Sequence, residues 1–399
     1  MNIFKTAYCR TYQGVFKLML PLLPYREPQI LKTDNDVINT LKTNNKKCVL
    51  LVTDKSIRGL GLTKSLEESL VSNGFNLFVY DNTVPNPTTQ NVAEALDIYK
   101  SNNCDCLIAF GGGSVMDCAK AVGAKVARPS KTLKQMKGVL KVRRKLPLLI
   151  AVPTTAGTGS ETTLASVITD SETRHKYAIN DFPLIPRFAL LKPELTFGLP
   201  KHITSTTGMD ALTHAVEAYI GRSTTKNTRA KALSATKAIF ENLEEAYNNG
   251  QNAVAREKLL KAAYDAGVAF TKSYVGYVHA IAHSLGGKYN LPHGLANAII
   301  LPYVLKEYGK TIHKKLWKMG VYAGLFDSST SYEEGAKLFI KKIEDMNASM
   351  NIGTKIPEIK EEDISTLAKT AEKEANPLYP VPKLLTVEEL EKIYYQISK

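Results

Sequence analysis

The feature that most constrains this chain is a change of rhythm near Pro200. Before it, short continuous apolar runs alternate with helical periodicity. Residues 48–53, 76–80, 106–110 and 146–152 read as strands, and 63–73, 88–102 and 114–127 read as the helices between them. Strands that are apolar on both sides must be covered on both sides, and helical crossovers are what successive parallel strands need. An α/β unit built on a parallel sheet follows. After Pro200 the strand runs cease. Residues 206–220, 227–248, 253–270, 276–285, 295–308, 310–325, 331–350 and 361–375 carry apolar side chains three and four apart and read as helices. We therefore expect two domains, an α/β domain over 1–200 and an all-helical domain over 201–399, in a chain of 399 residues that exceeds what one core usually organises.

The composition of the chain excludes several function classes. Five cysteines, an odd number without a disulfide-like framework, indicate a reducing, cytoplasmic setting. Cys104 and Cys106 form a C-x-C, but no second pair completes a thiolate metal site, and Cys106 opens an apolar strand. The apolar stretch from Val15 to Leu23 is interrupted by Lys17 and is too short to span a bilayer, and no small-residue cleavage site follows it. A net charge of +14 raises the possibility of a nucleic-acid partner. The basic residues are spread along the chain, without aromatic platforms between them, so we expect neither nucleic acid nor membrane as partner.

Two loops carry phosphate-binding chemistry. Gly111, Gly112, Gly113 and Ser114 follow the strand at 106–110 and open a helix, whose free N–H groups and dipole favour an anion. The strand at 146–152 runs into Pro153-Thr154-Thr155-Ala156-Gly157-Thr158-Gly159-Ser160-Glu161, rich in hydroxyls and glycine at the carboxyl end of a strand. Ligands of open α/β sheets bind there, and two such loops point to a dinucleotide. Asp54 and Asp81, each ending a strand, are both candidates to bind an adenosine ribose.

Of seven histidines, His214, His279, His283 and His293 fall in the first part of the helical half. Asp210 and His214 are four apart on one helical face, as are His279 and His283, and His293 follows in a Pro-His-Gly turn. One carboxylate and up to four imidazoles suit Fe(II), Zn(II), Mn(II) or Co(II). A divalent cation that stabilises an alkoxide, facing a nicotinamide that accepts hydride, would give both halves one purpose.

These motifs identify the chain as resembling the iron-containing alcohol dehydrogenase family from about Leu18 onwards. The resemblance is carried by Val52-Thr53-Asp54-Lys55, Val84-Pro85-Asn86-Pro87 and residues 111–117, 153–161, 208–217 and 279–297. It implies a Rossmann-like N-terminal domain and an all-α C-terminal domain, the dehydroquinate synthase-like fold. It also implies Asp210, His214, His279 and His293 as ligands of Fe(II), with Zn(II) an alternative, and His283 as a proton relay beside the nicotinamide. Asp54 resembles the ribose-binding position and favours NAD over NADP. Gly112, Gly113 and Ser114 resemble the diphosphate turn, and Asn86, Thr154, Thr155, Thr158 and Lys176 are similar to the other cofactor contacts. The expected activity is reversible hydride transfer between NAD(H) and a primary alcohol or aldehyde, by a homo-oligomer.

Two departures bear on substrate. Ala165 stands where a lactaldehyde-reducing member has a substrate-facing Asn, and Lys272 where many members have Asn, just after the pocket-wall residue Phe270. Loss of that Asn leans toward simple alcohols over diols. The alternatives are a dehydroquinate synthase-like lyase, a glycerol or diol dehydrogenase on the same fold, and a non-catalytic binding protein. The residues before Leu18 lie outside the resemblance and are expected to form an oligomer contact.

Overall fold

The computed structural model describes residues 3–398 and falls into two units, Pro24–Thr196 and a second made of Phe197 onward together with the segment up to Leu23. The first unit is an α/β domain. Its six-stranded sheet has the order β1-β9-β6-β4-β2-β3, with β1 Gln29–Leu31, β2 Cys48–Val52, β3 Asn76–Tyr80, β4 Cys106–Gly111, β6 Leu148–Pro153 and β9 Phe188–Leu190. Every neighbouring pair in it is parallel. The pleat splits the apolar runs between two cores. Leu50, Leu107 and Leu149 pack with Val92, Leu96 and Met116 of the helices Thr89–Ser101 and Gly113–Ala127 on one face. On the other, Leu51, Ile108 and Ile150 pack with Ile38, Leu41 and Leu70 of Asp34–Thr43 and Lys64–Ser72. Burial on both faces is why these strands read as continuous apolar runs.

A second sheet joins β5 Gly138–Val139, β7 Ala165–Thr169 and β8 Lys176–Asn180, with β7 and β8 antiparallel. It is pinned to the large sheet by a buried lysine. Lys120, on the helix Gly113–Ala127, donates to Ser160 O (2.7 Å), Thr163 Oγ1 (2.8 Å) and Ala165 O (2.9 Å). Asp117, one turn earlier, accepts from Ser160 Oγ and Val167 N. The helix that starts at the triple glycine thus fixes the hydroxyl-rich loop after β6.

The second unit is helical, from Lys201–Ile220 through Lys226–Asn248, Ala253–Ser273, Tyr277–Tyr289, His293–Tyr308, His313–Ala323, Tyr332–Ser349, Ile364–Ala375 and Val387–Ser398. The division of the chain at residue 200 is corrected in two respects. The break falls after Thr196, and the segment up to Leu23 belongs with the helical unit. The physical reason is the helix Ile3–Met19, which buries Cys9 and Gln13. Gln13 Nε2 donates to Tyr379 O (2.7 Å), and Arg10 Nη1 and Nη2 donate to Val381 O (2.7 Å) and Pro382 O (3.0 Å). The five cysteines are all buried and free. Among the described residues no helix is long and apolar enough to cross a membrane.

The loop anchor has a measurable electrostatic signature. Burial pushes the Glu161 carboxyl from its ordinary 4.5 up to about 7, and its Oε1 has no hydrogen-bond partner among the described residues. A carboxyl raised on folding costs stability above its folded pKa, and that cost fades as pH falls toward the unfolded value. Glu161→Gln should therefore melt several degrees higher than the unsubstituted protein near pH ~8, and the two should converge near pH ~5. Thermal melts across that range check this; equal melting at the higher pH rules it out.

Candidate functional site

Three helices of the helical unit bring the metal candidates together. Asp210 and His214 lie one turn apart on Lys201–Ile220, His279 is in the first turn of Tyr277–Tyr289, and His293 opens His293–Tyr308. One donor atom from each of the four lies within 4.8 Å of all the others. Asp210 Oδ1 is 4.0 Å from His214 Nδ1, 3.9 Å from His279 Nε2 and 3.6 Å from His293 Nε2. Bonds of about 2.0–2.2 Å in a tetrahedral array put donors roughly 3.4 Å apart, so the distances from Asp210 need to close by a few tenths of an ångström for the group to hold a divalent cation, and the widest pairs by more.

Close approach of the helices depends on two glycines. A Cβ at Gly294 would lie 2.5 Å from Thr206 O, and one at Gly276 would lie 2.6 Å from Glu217 Oε1. Gly294 therefore excludes a side chain, and one at Gly276 would displace the Glu217 carboxylate.

Glu217, one turn beyond His214, organises the His279 segment. Its Oε2 accepts from His279 Nδ1 at 2.6 Å and from Gly276 N at 2.9 Å, while Oε1 accepts from Val278 N at 2.9 Å. Burial pushes this carboxyl up to about 7, against the pull of those three donors. Burial, then the neighbouring His214, His293 and His283, hold His279 well below its ordinary pKa. A neutral imidazole with Nδ1–H held by a carboxylate turns its Nε2 lone pair inward, the form a metal ligand needs. Asn297 stands among the same atoms. Its Nδ2 donates to Asp210 Oδ1 (2.7 Å) and lies 3.3 Å from His279 Nε2 and 3.1 Å from His293 Nε2. An N–H donor amid these atoms marks a point on which lone pairs converge.

His283 lies beside this group and is not part of it. Its ring stacks on His293 with centroids 5.2 Å apart, and Nδ1 bonds Glu374 Oε1 at 2.6 Å. Tyr379 Oη donates to the same carboxylate oxygen at 2.8 Å. Burial acts to raise the Glu374 carboxyl, but His283 and the Tyr379 bond outweigh it and hold the group below its ordinary value. The Phe270 ring stacks on His214 at 4.1 Å, forming an apolar wall against the donor group.

The nine cofactor candidates all lie in the α/β unit. Gly112 caps the helix Gly113–Ala127, and no side chain caps that N-terminus. Gly111, Gly112 and Gly113 all avoid left-handed backbone, so conformational freedom is not their role. A Cβ at Gly113 would meet the Thr158 side chain at 3.2 Å, whereas one at Gly112 would be 3.8 Å from Thr155. A side chain at Gly113 would therefore crowd Thr158 of the neighbouring loop. Thr154 N donates to Gly111 O at 3.2 Å, which joins the two loops. Asn86, in left-handed conformation, donates from its backbone N to Ser114 Oγ (3.2 Å) and accepts from Lys176 Nζ (2.7 Å). Asp54 Oδ1 caps the helix Lys55–Gly59 by accepting from Ile57 N at 2.9 Å, while Asp81 is engaged by Arg58 at 2.8 Å. Ala165 begins β7, where its carbonyl accepts from Lys120.

Sequence reasoning missed Glu217, Asn297, Glu374 and Lys120. The first two were within reach, because Glu217 continues the Asp210/His214 face at i+7 and Asn297 stands four residues after His293. Glu374 lies 91 residues from His283, and no local spacing reveals it.

The Glu217 geometry generates a test. Glu217→Gln should weaken metal affinity about 10–100-fold, measured by competition with a chelator, while leaving the helical circular-dichroism signal intact. Unchanged affinity would remove Glu217 from the site.

The sequence over residues 31–193 matches the family described as iron-containing alcohol dehydrogenase, and residues 204–398 match the C-terminal part of the Fe-containing alcohol dehydrogenase family. Alcohol dehydrogenase 4 of Saccharomyces cerevisiae is 38% identical over 333 residues, covering 83% of this chain and 86% of its own length. The 1,3-propanediol dehydrogenase of Citrobacter freundii is 36% identical, covering 88% and 91%. A crystal structure of a 1,3-propanediol oxidoreductase superposes with a TM-score of 0.89 at 33% identity, covering 94% of this chain and 98% of that one. With both units matched in order and relatives similar over most of their length, this chain belongs to the iron-containing alcohol dehydrogenase family.

Proposed function

We propose that this chain catalyses reversible hydride transfer between NAD(H) and small primary alcohols or aldehydes, with Asp210, His214, His279 and His293 holding Fe(II). The observation that carries this reading is the convergent set of donors, with a neutral His279 oriented by Glu217. When bound, the cation would lower the pKa of an alcohol and stabilise negative charge on its oxygen, or polarise an aldehyde carbonyl. Three imidazoles and a carboxylate without thiolate suit Fe(II) or Zn(II), and the family favours iron.

The residues of this chain supply the rest. Asp54 binds the adenosine ribose and repels an extra phosphate there, favouring NAD; a relative 37% identical is an NAD-dependent methanol dehydrogenase from Bacillus methanolicus. The uncapped helix at Gly112, Gly113 and Ser114 takes the diphosphate, and Thr154, Thr155, Thr158, Asn86 and Lys176 hold the remainder of the cofactor. His283 carries the alcohol proton toward solvent from an imidazole held at Nδ1 by Glu374. Ala165 presents no side-chain hydrogen-bonding group for a second hydroxyl, and Phe270 adds an apolar wall, so simple alcohols are favoured over diols. Five buried, free thiols suit a reducing, cytoplasmic setting, and a homo-oligomer is the expected assembly.

Metal analysis of anaerobically purified protein, joined to an NADH-linked screen of alcohols and aldehydes, tests the proposal. His279→Ala should lose both metal and turnover; a fully active variant refutes the ligand set. His283→Ala should keep its metal and lose about 10²-fold in kcat. In kcat/KM, butanol should exceed 1,3-propanediol by about tenfold, and the reverse order overturns the substrate reading.

A further inference from the structure

Glu374 stands where a carboxylate is costly twice over. It lies in the last turn of the helix Ile364–Ala375, whose carboxyl end carries partial negative charge, and burial acts to raise its carboxyl as well. Glu372, in the same turn, is answered locally, by Lys5 Nζ at 2.6 Å and Asn376 Nδ2 at 3.1 Å. Glu374 is answered by a ring 91 residues away in the chain, since His283 Nδ1 meets its Oε1 at 2.6 Å. Tyr379 Oη donates to the same oxygen at 2.8 Å, and the two bonds outweigh burial and hold the carboxyl below its ordinary value.

An ionised carboxylate can only accept, so His283 Nδ1 is the donor and Nε2 becomes the nitrogen that can take up a proton. Nothing else described at the ring makes that choice. The stack on His293, with centroids 5.2 Å apart and planes 17° from parallel, fixes the plane of the ring. A half-turn about the bond from Cβ keeps that plane while exchanging nitrogen for carbon at each edge, so stacking tolerates both orientations and the bond at Nδ1 admits one. The acceptor is itself held still. Burial, then Glu374, keep the Tyr379 hydroxyl protonated by raising it well above its ordinary pKa. The Tyr379 backbone is fixed at both ends, its N donating to Ala375 O and its O accepting from Gln13 Nε2, each at 2.7 Å. The His283 and Glu374 side chains remain 44% and 31% exposed, so the pair is open to water.

We propose that Glu374 is a positioning residue for alcohol oxidation, holding His283 in the one ring orientation and tautomer that make Nε2 the proton acceptor. This rests on the relay role proposed for His283. Oxidation of an alcohol sends hydride from its carbon to the nicotinamide and a proton from its hydroxyl to His283 Nε2, and the positive charge formed on the imidazole is stabilised by the adjoining carboxylate. Glu374 acts through the ring alone, and Tyr379 fixes the carboxylate from behind.

A double-mutant cycle on the metal-replete enzyme, with NAD and butanol, tests this. Glu374→Gln should lose about tenfold in kcat, with KM for butanol within about twofold and metal content unchanged. Added to His283→Ala, the same substitution should cause no further loss. An equal fold-loss in both backgrounds, which a merely structural role would give, overturns the proposal. Full kcat in Glu374→Gln beside an impaired His283→Ala overturns it alone, whereas full kcat in His283→Ala overturns the relay reading and the proposal with it. Proton–nitrogen spectra of zinc-loaded protein with labelled histidine add a readout that needs no turnover. A low-field Nδ1 proton, assigned by its loss in His283→Ala, should be present in the parent and vanish in Glu374→Gln; its absence from the parent overturns the pairing itself.

Discussion

The candidate metal site depends on a single buried carboxylate. Glu217 accepts from Gly276 N, Val278 N and His279 Nδ1, so it holds the start of one helix against the last turn of another and orients a candidate ligand in the same stroke. An uncompensated carboxylate at 3% exposure would be untenable, and three donors make it sustainable. Gly276 leaves room for the carboxylate, and Gly294 lets the His293 helix approach Thr206 O. The positions of the four donors follow from helix packing and need no loop ordering, which suits a site that must present fixed ligand geometry.

The helix at the start of the chain is tied into this arrangement from its inward side. Gln13 donates to the carbonyl of Tyr379, the hydroxyl of Tyr379 donates to Glu374, and Glu374 holds His283. Phe16 packs edge-on against Tyr274 with centroids 5.0 Å apart, at the junction between the helices Ala253–Ser273 and Tyr277–Tyr289. Tyr274 has φ 61° and ψ 179°, a backbone region populated essentially by glycine, and such strain persists only where surrounding packing over-determines it. One face of the helix therefore supports the helical unit, while the other is turned outward.

Much of this was legible in the sequence, for reasons that differ between elements. Strands β2, β4 and β6 were readable because two-sided burial makes their apolar runs continuous, and Asp210 with His214 was readable because helical periodicity converts spacing into proximity. The edge strand β1 and its neighbour β9 are three residues each, too short for any pattern to stand out. The β7–β8 hairpin alternates buried with partly buried or exposed residues, and its period of two was there to be found. The two terminal helices were missed for opposite reasons. The basic, apolar composition of Ile3–Met19 resembles a targeting or contact segment more than a packed helix, and Val387–Ser398 follows a proline-rich stretch that obscures its start. Contacts such as Glu374 with His283 arise from tertiary packing alone.

The buried ionisable groups separate structural from functional use. Asp181 accepts from Val142 N and Arg143 N, Arg256 donates to Gly250 O and Thr204 Oγ1, and Asp265 is paired by Lys231, so each is matched by local partners. Two buried carboxyls, Glu161 behind the hydroxyl-rich loop and Glu217 behind His279, are both pushed up to about 7 by burial; Glu217 is met by three donors, whereas Glu161 Oε1 has no hydrogen-bond partner among the described residues. Each stands one step behind residues assigned to a ligand, where polar side chains must be aimed outward and the fold accepts an electrostatic cost to aim them. Lys120, pulled down to about 8 by burial, belongs with Glu161 in this respect, since its bonds to Ser160, Thr163 and Ala165 fix the loop after β6. Helix packing around Glu217 and a lysine-anchored loop around Lys120 are thus two solutions to one problem, holding a ligand-facing group still without letting water reach what supports it.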